Sequence, residues 1–196
     1  MKPNSDKNRI PDYLFHIAQG FYEVGLHVAY QVNKDNTVKG FQRIAPAVVN
    51  FTFAVELMLK GLHSLTTRMD LKGHKLWDLY KHLSQDLKEK IEDKYNIYKT
   101  LKSDNLPAFR IVMTKESEKE KENDTDDTNE NISLRDLLII HNDAFEEWRY
   151  LYEVPPNGYK YEFNFKLMDA FIKSLIEVIN DVKSKRGPSF ILGSAK

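Results

Sequence analysis

The sequence predicts an all-α fold, a five-helix up-and-down-type bundle with an acidic polar insertion before the fourth core helix. Three observations carry that expectation. Apolar residues recur at intervals of three and four along five separate stretches, the spacing of one buried helix face. No convincing set of alternating strands accompanies them; a single short stretch near residue 160 alternates. Residues 115–131, KESEKEKENDTDDTNEN, contain no apolar side chain at all.

The first helix follows Pro11. Tyr13, Leu14, Ile17, Ala18, Phe21, Val24, Gly25, Val28, Ala29 and Val32 form its stripe, about six turns long. Residues 34–37 read as a loop. A second helix spans residues 43–65, with Val48, Val49, Phe51, Thr52, Val55, Leu59 and Leu62 facing inward. Pro46 fits it only in the first turn, where the missing N–H costs nothing. Lys72-Gly-His74 breaks the pattern. A third helix then carries Leu76, Leu79, Tyr80, Leu83 and Leu87 and extends toward Ile91 and Tyr95. Around Pro107 the periodicity fades, and PAFRIVM fits an extended or a short helical segment equally well.

The insertion, 115–131, holds eight acidic and three basic residues. Such a composition cannot bury enough apolar surface to offset the entropy of ordering, so it reads as a solvated loop within a single domain over residues 1–196. A fourth helix starts sharply after it. Ser133 and Asp136 have the spacing of a capping box, and Ile132 and Leu137 that of a hydrophobic staple. That helix, RDLLIIHNDAFEEWRYLYE, should run to residue 153, where Val154-Pro-Pro-Asn-Gly158 stops it. Tyr159, Tyr161, Phe163 and Phe165 then alternate with polar residues as an extended stretch. The last helix has the cleanest stripe, from Leu167 through Phe171, Leu175 and Val178 to Val182. Lys183, Lys185 and Arg186 suit its negative end, and Gly187-Pro188 ends it.

Composition narrows the chemistry. Lys+Arg and Asp+Glu balance at 29 each, so no global basic field announces nucleic acid, and any such binding must come from a local patch. The absence of cysteine removes disulfides, thiol nucleophiles and Cys-based zinc sites. The N-terminal stretch lacks the apolar run of a signal peptide, and no segment looks long and apolar enough to cross a bilayer. The expectation is a cytoplasmic protein without membrane contact, metal or cofactor. A phosphate-binding glycine loop, a Gly-x-Ser-x-Gly elbow and a His-Glu-x-x-His pair are all absent. His74 and His82 lie eight apart but lack the carboxylate spacing of a metal site. Glu56 and Lys60 have ordinary helix ion-pair spacing.

The fourth helix holds the candidate site. At about 100° per residue, Leu134, Leu137, Leu138, His141, Ala144, Phe145, Trp148 and Tyr152 share one side. Arg135, Asn142 and Arg149 share a polar line instead. Arg135 and His141 then project roughly 120° apart, so one helix cannot aim both at one phosphate. Two copies meeting at a dimer interface could share them. His141 also fits a purely structural role, packed beside Phe145 and donating one N–H to a neighbour. Arg149, beside Trp148 and Tyr150, fits a stacked or ion-paired arginine.

The order of three motifs is informative. FTFAVELMLKGL (residues 51–62), GHKLWDLYKHL (73–83) and RDLLIIHNDAFEEWRYLYE (135–153) together resemble the HEPN superfamily of small helical bundles. Glu56, Leu59 and Lys60 match its Ala-x-Glu-x-x-Leu-Lys helix; Gly73, His74, Leu76 and Leu79 match its His-x-Leu-x-x-Leu segment; Arg135, Asp136 and His141 match its Arg-x4-6-His helix. The resemblance implies a helical homodimer. In catalytic members the arginine and histidine of both protomers form a metal-independent ribonuclease site, serving in toxin-antitoxin systems, phage defence or RNA processing. His141 would then act as general acid or base on the ribose and leaving oxygens, and Arg135 would hold the phosphate. Asn142, Arg149 and Tyr150 would contact substrate, with RNA or a nucleotide as ligand and an antitoxin or other protein as partner. Other members have lost the pair and act as nucleotide- or protein-binding modules. One departure favours that alternative: Asp143 stands where catalytic members often carry tyrosine, and a carboxylate sits poorly beside phosphate.

Overall fold

The structure, a computed structural model, describes residues 10–34, 38–101, 106, 108–113, 132–150 and 159–185. The insertion at 115–131, the end of the Trp148–Glu153 run and the Gly187-Pro188 stop lie outside these residues. Among them the chain is mainly helical, with α1 (Ile10–Lys34), α2 (Val38–Thr67), α3 (Leu76–Lys81), α4 (Gln85–Tyr98), α5 (Leu134–Ile140), α6 (Ala144–Arg149) and α7 (Phe165–Ser184). Two short strands, β1 (Ala108–Met113) and β2 (Tyr159–Asn164), pair antiparallel from Ala108↔Asn164 to Met113↔Tyr159. AFRIVM, the described part of that segment, is thus extended, and its partner is the alternating stretch ahead of the last helix.

The core centres on α2. Phe51, Ala54, Val55, Leu59 and Leu62 are fully buried, between α1 on one side and α6 and α7 on the others. Close contact with α1 depends on two glycines. A Cβ on Gly25 would stand 2.8 Å from the Phe51 ring, and one on Gly61 would stand 2.6 Å from the Phe15 ring. The face of α1 carrying Phe15, Ala18, Tyr22, Gly25, Ala29 and Val32 is therefore spoken for. Polar contacts join α1 to α7: the Tyr22 hydroxyl donates to buried Asp169, which also holds Lys173 at 2.7 Å, and Lys183 meets Asp12 at 2.6 Å.

Four expectations are corrected. Pro46 lies inside α2, which starts eight residues before it, so the Gln42 carbonyl loses its usual i+4 donor. Asn50 turns its side-chain amide back onto the Pro46 carbonyl at 2.7 Å. The segment Gln42–Thr67 does reach the length and apolarity of a membrane span, with mean hydropathy 1.3. Its burial accounts for that composition, since 67% of the window is packed inside the protein as the central helix. The third predicted helix is two: His82 and Leu83 close a tight turn on Leu79 and Tyr80, and Ser84 opens α4. Finally, RDLLIIHNDAFEEWRYLYE is not one continuous helix. It breaks at residues 141–143 into α5 and α6.

Candidate functional site

The start of α5 is built as its sequence predicts. The Ser133 hydroxyl accepts the Asp136 N–H at 3.1 Å and donates to the Asp136 carboxylate at 2.6 Å, so the first turn is capped by its own residues. Leu134, Leu137 and Leu138 are buried, which turns Arg135 outward. Its guanidinium lies over the Trp77 ring, 5.9 Å from the centroid. In this position it is a solvent-facing cation stacked on an aromatic of α3.

His141 sits at the other end, as the C-cap of α5, and is 2% exposed. Both ring nitrogens are engaged. Nδ1 lies 2.9 Å from the Leu137 carbonyl, and Nε2 lies 3.2 Å from the Asn164 backbone N–H. A carbonyl can only accept and an amide N–H can only donate, so the partners assign a neutral ring with Nδ1 protonated and Nε2 accepting. Burial pushes the pKa down to about 4, against a smaller upward pull from the Leu137 carbonyl. The ring packs edge-on against Phe163, with centroids 4.7 Å apart, rather than against Phe145. A ring so placed joins the end of α5 to the junction of β2 and α7. To accept a substrate proton, Nε2 would first have to release the Asn164 amide. Within one chain Arg135 and His141 therefore do not converge: one faces solvent and the other is enclosed.

Asn142, a sequence candidate for substrate contact, is engaged in packing instead. Its Oδ1 accepts the Trp77 N–H at 3.0 Å and its backbone carbonyl accepts the Leu76 N–H at 3.2 Å. Lys75 provides no side-chain cap to α3, so Asn142 satisfies the first amides of that helix from across the fold. Arg149 is stacked 5.2 Å from the Phe145 centroid and 4.5 Å from that of Tyr150, and donates to the Tyr150 hydroxyl.

Polar side chains that the sequence treats as ordinary form a tighter cluster nearby. Glu56, 2% exposed, receives Lys60 at 2.8 Å and His74 Nδ1 at 3.0 Å from each carboxylate oxygen. Phe145 is stacked against both Phe53 (5.4 Å, 27°) and His74 (5.9 Å, 20°), joining α6 to α2 and to the loop ahead of α3. His74, Lys75, Asn142, Asp143, Phe145 and Glu146 line a shallow depression of the surface that encloses no cavity. Lys75 is paired with Asp143 across it at 3.0 Å. The signal for this cluster was present in FAVELMLK, where Glu56 lies between Val55 and Leu57 in a run otherwise apolar up to Lys60. A carboxylate embedded in such a run requires partners once the helix is central.

Among the described residues no group of three or more His, Asp or Glu side chains is placed to hold a metal ion. Comparison of the chain with protein-family models, with curated proteins and with solved structures finds no match.

Proposed function

We propose that this chain is a HEPN-like helical module that works by binding a partner protein, and that the Arg135/His141 pair serves packing rather than RNA cleavage. The observation that carries this reading is the commitment of both His141 nitrogens inside the protein, to Leu137 and to Asn164. A general acid or base needs one nitrogen facing the reacting atoms and a pKa near the working pH, and here burial holds it near 4. A protein partner is favoured over a nucleotide by the charges of the depression. Lys75 of its lining is matched by Asp143, and Glu146 adds further negative charge; Lys60, outside the lining, is matched by Glu56. The five-helix HEPN arrangement belongs to the same proposal and rests on the ordered motifs at Glu56–Lys60, Gly73–Leu79 and Arg135–His141.

The test is RNA cleavage in EDTA by the wild-type chain, Arg135→Ala and His141→Gln. The expected result is no cleavage above background by any of them. Cleavage by the wild type that Arg135→Ala abolishes would restore the ribonuclease reading, because Arg135 is exposed and its loss leaves the fold intact. Saturable binding of ATP or a short RNA, abolished by Lys75→Glu, would move the reading to the nucleotide-binding class.

A further inference from the structure

His74 is placed unlike the other histidines of the chain. Its Nδ1 lies 3.0 Å from each oxygen of Glu56, whose side chain is 2% exposed, while its own side chain is 52% exposed. Among the described residues no other histidine meets a carboxylate. His63, His82 and His141 turn Nδ1 to backbone carbonyls, His27 meets Gln31, and His16 is exposed. A carboxylate only accepts, so in the neutral ring of His74 Nδ1 donates and Nε2 keeps its lone pair. No described residue hydrogen-bonds that second nitrogen.

The surroundings hold the ring without using Nε2. Gly73, at φ 91°, supplies a left-handed turn just before it. Phe145 lies against the ring face with centroids 5.9 Å apart, and is itself backed by Phe53. Lys60, 2.8 Å from one Glu56 oxygen, balances the buried charge. A fixed imidazole with a buried carboxylate on one nitrogen and solvent on the other has the arrangement of a nucleophile. As Nε2 forms a bond the ring becomes positive, and the hydrogen bond to Glu56 strengthens with that charge. The gain is made in the transition state, where it raises rate.

We propose that His74 is a phosphoryl-acceptor site, taking the group onto Nε2 from a donor of the phosphoramidate class. The Nε2 lone pair attacks phosphorus and an N–P bond forms. The donor's own N–P bond breaks, and its electron pair leaves on the donor nitrogen. Nδ1 keeps its proton, and the positive charge of the ring is held against Glu56. One N–P bond replaces another, so the transfer needs no further reactant and runs in either direction. An acceptor has to enter the donor's site rather than enclose a substrate, which suits a ring at a depression that encloses no cavity. Lys75, next in sequence and in the same lining, supplies a cation for the phosphoryl oxygens. It is 55% exposed and paired with Asp143, itself 38% exposed, and so solvated a pair is readily exchanged. Glu146 is the remaining carboxylate of the lining and the one charge set against the transfer. The inference rests on Glu56 and His74 and not on the partner-binding reading.

Incubation of the full chain with phosphoramidate at neutral pH, followed by site-resolved mass spectrometry, tests it. Ammonia is then the leaving group. His74 should gain one phosphoryl group on Nε2 at about tenfold or more the rate of exposed His16 in the same sample. The label should be lost on brief acid treatment, as an N–P bond requires. In Glu56→Gln the ratio of the two rates should fall toward one, because a neutral amide gives no growing attraction to the charged ring. A pair that serves only to satisfy Glu56 would leave His74 no faster than His16 in either protein. Should Glu56→Gln fail to fold, the ratio within the wild type decides alone. Equal rates in the wild type, a label on Nδ1, or a ratio unmoved in folded Glu56→Gln would each overturn the proposal, and none of them bears on partner binding or RNA cleavage.

Discussion

At the scale of the residue, His141 shows how two hydrogen bonds assign a role. Leu137 and Asn164 between them fix the tautomer, and burial removes the ring from neutral-pH chemistry. The depressed pKa has a signed consequence. Folded His141 titrates near 4 and an unfolded histidine near 6.5, so between these values the unfolded chain binds the extra proton. Its contribution to stability is therefore complete above about 6.5 and is lost as pH falls toward 4, up to roughly 3 kcal/mol in all. Urea unfolding across that window should show a steeper acid loss for the wild type than for His141→Gln, which is less stable at pH 7 but lacks this slope. Equal slopes would remove the linkage. The sequence placed His141 on the apolar side of its helix, and that much was legible. Its partners were not, because Phe163 and Asn164 come from a strand beyond the next helix and no spacing rule connects them. Asn142 misled for the same reason. It shares a polar line with Arg135 and Arg149 on an ideal helix, yet the amides it caps belong to α3.

At the scale of the element, the apolar stripes located the long helices well and their ends poorly. In the fourth predicted helix, Leu134, Leu138, Ala144 and Trp148 keep a nearly helical rhythm through the turn at 141–143, so the pattern hides the break. The turn leaves apolar residues on the same side of the chain, and periodicity reports sidedness rather than hydrogen bonding. Pro46 was misplaced because a central helix packed on several neighbours tolerates a local defect that an isolated helix would not. β1 was ambiguous because AFRIVM is mostly apolar and has no period of its own; it becomes a strand by pairing with β2. The glycines of the first two helices give a sharp test at this scale. Gly25→Ala and Gly61→Ala should each destabilise by about 1–3 kcal/mol, as the added methyl strains the Phe51 or Phe15 ring. Gly20→Ala should stabilise the fold by up to about 1 kcal/mol through helix propensity. Thermal or denaturant unfolding of the three variants reads the signs directly, and a uniform sign would refute the packing assignment.

At the scale of the whole molecule, buried residues from α1 through α7 form one core, in which Phe51 touches rings from three directions: Tyr22, Phe163 and Phe165. The chain should accordingly unfold as one unit. Trp77 and Trp148 report the α3–α6 side, while far-ultraviolet circular dichroism is dominated by α1, α2 and α7. Their denaturation curves should coincide, and separated midpoints would mean that α5 and α6 come away first. The β1–β2 ladder bears on how that core is assembled. Met113 pairs with Tyr159, so the ladder closes a loop through residues 114–158 that contains α5 and α6. Helices α1 and α2 are neighbours in sequence and meet at little entropic cost, whereas the two strands must find each other across that loop. Loop-closure entropy therefore predicts that folding begins at the α1–α2 pair and ends at the ladder. Since Asn164 closes β2 and caps α7, on that order the imidazole of His141 would gain its second partner at the last step, which would make that ring a reporter of completed folding.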